Sequence, residues 1–104
     1  MAWYTYMLRC SDGSLYTGIT TDLVRRLAQH RAGKTRGGAK YTSARHALGF
    51  ECAFECPGRP EASRLEAQLK KLTRSQKLAH IAGTHSPDSE GCIRINIDAE
   101  GHII

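Results

Sequence analysis

No stretch of this chain stays apolar for the ~20 residues that a helix needs to cross a bilayer, so a membrane-spanning class is excluded as the reading. The amino terminus, MAWYTYMLRCSDGS, lacks a basic region followed by an apolar core and a small-residue cleavage site, and the expectation is a cytoplasmic protein. The four cysteines, Cys10, Cys52, Cys56 and Cys92, contain no CxxC pair, which argues against a zinc site. Cys52 and Cys56 stand four apart on one predicted strand, on the same face but about 13 Å from each other by rise per residue, too far to share a metal. All four are read as reduced, buried, small apolar side chains. Asparagine occurs once, at Asn96, and there is neither an internal repeat nor a low-complexity segment.

Acidic residues are missing where they matter most. Residues 25–46, RRLAQHRAGKTRGGAKYTSARH, hold seven Lys/Arg and two His with no Asp or Glu. The whole chain of 104 residues has a net charge of +5, but residues 1–83 carry 14 basic against 6 acidic side chains, and residues 84–104 carry 1 against 4. A basic block in a Gly-rich segment dotted with Ser and Thr favours phosphate contacts, so nucleic acid ranks ahead of an acidic protein or a membrane surface. A composition of 40% hydrophobic and 24% charged residues is that of an ordinary globular domain, and the length allows one core.

Residues 3–10 alternate, with Tyr4, Tyr6, Leu8 and Cys10 on one face and Trp3, Thr5, Met7 and Arg9 on the other. SDGS supplies a hairpin turn and LYTGIT the return strand. Thr21 or Asp22 caps a helix read over DLVRRLAQHRAG, with Leu23, Val24 and Leu27 as its apolar stripe and Arg26 and His30 side by side along its edge. Residues 34–48 form a basic loop, with a short turn of helix admissible around TSARHAL. GFECAFEC then places Phe50, Cys52, Phe54 and Cys56 on one face of a third strand, against Glu51, Ala53 and Glu55. Pro60 opens a second helix with Ala62, Leu65, Leu69 and Leu72 buried and Glu66 at the border of that stripe; Thr73 with Gln76 forms a capping box for a third. The expected fold is α+β: a small antiparallel three-stranded sheet flanked by helices, in the order β-β-α-β-α-α. Residues 1–83 are expected to form the domain. Residues 84–104 are an acidic extension, in which Ile93, Ile95 and Ile97 alternate with polar residues, that either adds a strand to an edge or is mobile.

The ordered set of polar residues resembles the GIY-YIG nuclease superfamily, in particular its small single-domain bacterial members, over roughly residues 3–82. Tyr4-Thr5-Tyr6 stands where the family has Gly-Ile-Tyr, and Tyr16-Thr17-Gly18 where it has Tyr-Ile-Gly. Arg26 follows Gly18 by eight residues, His30 lies one turn on, and Glu66 and Lys70 stand on a later helix. The resemblance implies that Tyr16 is the general base or orients water, a role that needs its phenolate, with an unperturbed pKa of ~10, favoured by positive charge. It implies that Arg26 supplies that charge and holds a phosphate oxygen, that Tyr6 hydrogen-bonds water or phosphate, and that His30 orients a phenol or moves a proton. Glu66 would be the single carboxylate for one Mg²⁺ or Mn²⁺, bound well only with substrate present. Tyr4, in place of the family's glycine, is expected to be structural.

Each of these residues also has a packing reading. Tyrosines on a half-buried hairpin are common, Arg26 and His30 can cover an apolar edge, and Glu66 with Lys70 is an ordinary i, i+4 pair. Their occurrence together, in family order, favours the catalytic reading. Arg25, Lys34, Arg36, Lys40, Tyr41, Thr42, Arg45 and Lys70 are the candidates for nucleic-acid contact. The expected function is therefore a metal-dependent, structure-selective or weakly specific endonuclease acting on branched, flapped or single-stranded DNA, with RNA open, in repair or recombination. The rival is a nucleic-acid-binding module of the same fold with little catalysis, guided by a protein partner.

Overall fold

The structure, a computed structural model, describes residues 2–32, 47–82 and 91–104. Strands β1 (Trp3–Cys10), β2 (Leu15–Thr20), β3 (Ala47–Cys56) and β4 (Ile93–Ile95) pair antiparallel in the order β2-β1-β3-β4. Helices α1 (Leu23–Ala32), α2 (Arg59–Lys70) and α3 (Arg74–Ile81) complete the fold. The sheet thus has four strands where three were expected. The fourth comes from the acidic extension, whose isoleucines pair with the free edge of β3 through Ala53↔Ile95 and Glu55↔Ile93.

Local chemistry sets most of the elements. Gly13 takes a φ of 85° in the β1–β2 turn, while Asp12 Oδ1 accepts hydrogen bonds from the Ser14 amide and hydroxyl. Asp22 caps α1 by accepting from the Arg25 amide at 3.1 Å. Thr73 and Gln76 form the capping box at the start of α3. Gly33, expected to close α1, and Gly83, expected to end α3, lie outside the described residues.

β1 and β3 are covered on both faces. On one, Tyr6, Leu8, Phe50 and Ala53 pack with Leu23 and Leu27 of α1; on the other, Met7, Cys52, Phe54 and Cys56 pack with Ala62, Leu65 and Leu69 of α2. This corrects the simple alternation expected of β3. The register with β1 steps from Met7↔Cys52 to Leu8↔Phe50, so Glu51 is an extra residue in a β-bulge. The bulge moves Phe50 to the α1 side and leaves Glu51 to accept from Arg9 Nε at 2.7 Å. Ala53, expected to face outward, is buried because α1 covers that side.

Two further expectations change. Val24 is 43% exposed rather than part of the buried stripe of α1, and His30, expected at the edge, is wholly buried in its place. Positions 23, 27 and 30 therefore make the buried face. The cysteines divide: Cys10 and Cys52 are reduced and buried, as expected, and burial pushes the Cys52 thiol up to about 11. Cys56 and Cys92, however, form a disulfide. The β3–β4 register continues from Glu55↔Ile93 to bring them opposite each other, across a sequence separation of 36. The extension is held further on by Phe50 N–H donating to Ala99 O and by Arg31 pairing with Glu100 at 2.6 Å.

Candidate active site

Four of the five candidate catalytic residues converge where β1 and β2 meet α1. Tyr6 and Tyr16 project from neighbouring strands to the α1 side, and their rings lie 6.2 Å apart with planes inclined by 30°. His30 meets both edge-on, at 6.0 Å from Tyr6 and 4.9 Å from Tyr16. Arg26, one helical turn before His30, donates from Nε to the Tyr6 hydroxyl at 3.3 Å, and that hydroxyl lies 2.9 Å from His30 Nε2.

These bonds form a directed chain. Arg26 can only donate, so the Tyr6 oxygen accepts from it. The 2.9 Å bond to His30 Nε2 is read with the Tyr6 hydroxyl as donor, which corresponds to the Nδ1–H tautomer of a neutral imidazole. The electrostatics agree with that assignment. Burial, followed by the nearby Arg26 charge, pulls the His30 pKa down to about 4. Burial raises the Tyr6 phenol well above the ordinary tyrosine value, against the opposing pull of the Arg26 hydrogen bond. Burial also works against the Arg26 cation, but its interactions with the Tyr6 and Tyr16 phenols outweigh that, and its pKa lies above the ordinary value. The group at the end of the chain is thus a fixed positive charge, backed by two neutral and buried partners.

Exposure sorts the set. Tyr6 and His30 are fully buried, whereas Tyr16 and Arg26 are partly exposed at the rim. The Tyr6 hydroxyl is engaged with Arg26 and His30. Gly18 makes the arrangement sterically feasible: it stands opposite Tyr6 across the hairpin, and a Cβ there would lie 2.6 Å from the Tyr6 hydroxyl and 2.9 Å from the Tyr16 ring. Tyr4, on the same face, packs against the core cluster around Leu23.

Glu66, the fifth candidate, lies on α2 and is not in the chain. It faces Lys70 Nζ at 3.6 Å, with a quarter of its side chain exposed, and its charge is felt at Tyr6, where it adds to the upward push. Among the described residues no three His, Cys, Asp or Glu side chains cluster as a metal cage. A single partly exposed carboxylate fits a hard oxygen-seeking ion that keeps most of its waters, and does not fit a caged metal. Arg25 is exposed beside Arg26. Lys34, Arg36, Lys40, Tyr41, Thr42 and Arg45 lie outside the described residues. Two contributors were not foreseen. Gln29 accepts from Arg26 Nη1 at 3.1 Å, and its i+3 spacing from Arg26 was the available signal. Phe50 stands edge-on to Tyr6 at 5.2 Å, and the bulge that turns it there leaves no mark in the sequence.

Comparison with known proteins shows what the chain is similar to. Residues 2–79 match the model of the GIY-YIG catalytic domain. A UPF0213 protein of Cupriavidus pinatubonensis is 45% identical over 87 residues, covering 84% of this chain and 93% of the relative. One of Streptococcus sanguinis is 53% identical over 78 residues, covering 75% and 86%. The solution NMR structure of a UPF0213 protein from Bacillus halodurans superimposes with a TM-score of 0.51 at 40% identity, covering 84% of this chain and 89% of that one. No helix among the described residues is long and apolar enough to cross a membrane.

Proposed function

Because the chain belongs to the GIY-YIG family, we propose that it is an endonuclease that hydrolyses phosphodiester bonds in DNA with the help of one divalent ion. The observation that carries this reading is the chain Arg26–Tyr6–His30 beneath a partly exposed Tyr16. A buried polar chain of this kind adds nothing to packing that apolar residues would not supply, and it aims one cation at the rim.

Phosphodiester hydrolysis forms a bond from a water oxygen to phosphorus and breaks one to a sugar oxygen, while negative charge grows on the phosphate. Arg26 stabilises that charge on a non-bridging oxygen. Tyr16, as the phenolate, presents its oxygen to the attacking water, orients it and takes its proton to become the neutral phenol. Tyr6 and His30 are positioning residues, because both are buried and act by holding Arg26 in place. Glu66 would hold Mg²⁺ or Mn²⁺, which supplies Lewis-acid charge to the leaving oxygen. The substrates proposed are branched, flapped or single-stranded DNA in the cytoplasm, in repair or recombination.

The test is a cleavage panel of single-stranded, duplex, flap and junction DNA with each of the two ions. Ion-dependent nicking that Glu66→Ala abolishes and Tyr16→Phe strongly slows is expected. Wild-type cleavage by both variants would refute the site. The ion pair between Glu66 and Lys70 favours one other reading, a DNA-binding module without efficient catalysis. A panel with binding but no cleavage would establish that reading instead.

A further inference from the structure

A groove of about 260 Å³ lies among the start of β1, the end of β2 and α1, beside the site described above, and its residues combine two chemistries. Trp3 and Ile19 give it an apolar wall, while Arg25, Arg26, Gln29 and Thr20 give it cations and hydrogen-bonding groups. No carboxylate is among its lining residues. Two other depressions differ in this respect: one includes Glu55 and the other Asp22, and neither is lined by Lys or Arg. The groove also shares Arg26 with the candidate active site, so the two adjoin each other.

We propose that this groove is a subsite for one unpaired nucleotide next to the scissile phosphate, with its base against Trp3 and Ile19 and its own phosphate on Arg25. The proposal rests on the nuclease reading for its placement in a reaction, but the binding itself does not need catalysis. An indole and two guanidiniums lining one groove are the combination that binds single strands without sequence preference, the aromatic ring taking the base and the cations tracking the backbone. The size fits this occupant. It falls just short of the ~300–1,000 Å³ of pockets that enclose a free ligand, which suits one unit of a longer strand. A base in a duplex is already stacked and cannot enter without being flipped out, so the groove selects strands with an unpaired nucleotide beside the cut. Arg59, at the start of α2, has its guanidinium over the Trp3 ring at 5.6 Å and holds the indole in place.

Trp3 is the chain's only tryptophan, so its fluorescence reports on this wall alone. The experiment titrates the full chain, in EDTA so that nothing is cut, with an oligothymidylate and separately with a blunt duplex of the same length. The single strand is expected to quench Trp3, and the duplex to leave it nearly unchanged. With labelled DNA and anisotropy, Trp3→Ala should weaken the single strand about tenfold and the duplex less than about twofold, and Trp3→Phe, which keeps a ring, should retain most of the affinity. The Phe variant, checked for folding by circular dichroism, guards against a collapse of the fold in the Ala variant. Equal loss for single strand and duplex in Trp3→Ala, or no quenching by a single strand that does bind, would overturn the subsite. Cleavage without quenching would sink the subsite and keep the nuclease. Quenching without cleavage would do the reverse.

Discussion

The two faces of the sheet are built from the same two central strands, yet they bury different chemistry. Toward α2 the core is mostly apolar, with Met7, Cys52, Phe54, Leu65 and Leu69 packed together; Thr5, whose hydroxyl donates to Ala62 O at 2.9 Å, and His80, edge-on to Phe54, are its buried polar members. Toward α1 a comparable core includes a phenol and an imidazole in a hydrogen-bonded chain that ends in a guanidinium. Packing explains most of the first face. It does not explain the second, where a phenol and an imidazole must be desolvated and then satisfied by one another and by Arg26. The contrast separates what makes this domain fold from what makes it a candidate enzyme.

The comparison is sharpened by perturbing each face in turn. Leu65→Ala, on the apolar face at a residue 1% exposed, should cost about 2–5 kcal/mol by urea denaturation. It should leave the pH behaviour of His30 untouched; a shifted His30 titration would mean that the two faces are coupled.

His30 gives the next effect, through pH. Its folded pKa, about 4, lies below the ordinary 6.5, so the folded state binds fewer protons than the unfolded chain between those values. The stability due to a neutral His30 is complete above pH 6.5 and is lost as pH falls toward 4, by about 3 kcal/mol in all. Carboxylates titrate in the lower part of that window, so the readout is the difference between wild type and His30→Gln. The variant should show a flatter stability profile from pH 7.5 to 5, and parallel profiles would contradict the assignment of a neutral imidazole.

Gly18→Ala probes the same face by sterics. The added methyl meets the phenol that Arg26 and His30 hold, so it should cost about 1–3 kcal/mol and move the His30 imidazole resonances in an NMR spectrum. Full stability with unchanged resonances would show that the phenols are free to move aside. The smallest effect belongs to Lys70→Ala. Its partner Glu66 is partly exposed, and the loss should stay within a few tenths of a kcal/mol. A larger loss would mean that Glu66 is held by Lys70 and is not available to an ion.

The hairpin, the capped helices and the stripe of α2 could all be read from spacing, since each depends on residues close in sequence: Asp12 with Ser14, Asp22 with Arg25, Thr73 with Gln76. The convergence of Tyr6, Tyr16, Arg26 and His30 was legible only through their order as a family set. What spacing left open or missed was long-range. The fourth strand depends on whether Ile93 and Ile95 find the edge of β3, and the Cys56–Cys92 pairing follows from that register. Phe50 reaches Tyr6 only because the strand skips Glu51.

By itself the sequence determined the local elements and the inventory of polar groups, because helix caps, turns and face periodicity act over a few residues. The tertiary structure alone decided which of those groups are buried. Arg26 and His30 are equivalent on a helical wheel as two polar residues one turn apart. Burial against two phenols made His30 neutral, while the same phenols kept Arg26 a cation and left it at the rim. That division arises because desolvation and hydrogen bonding depend on neighbours brought from other strands, and no spacing along one helix encodes them.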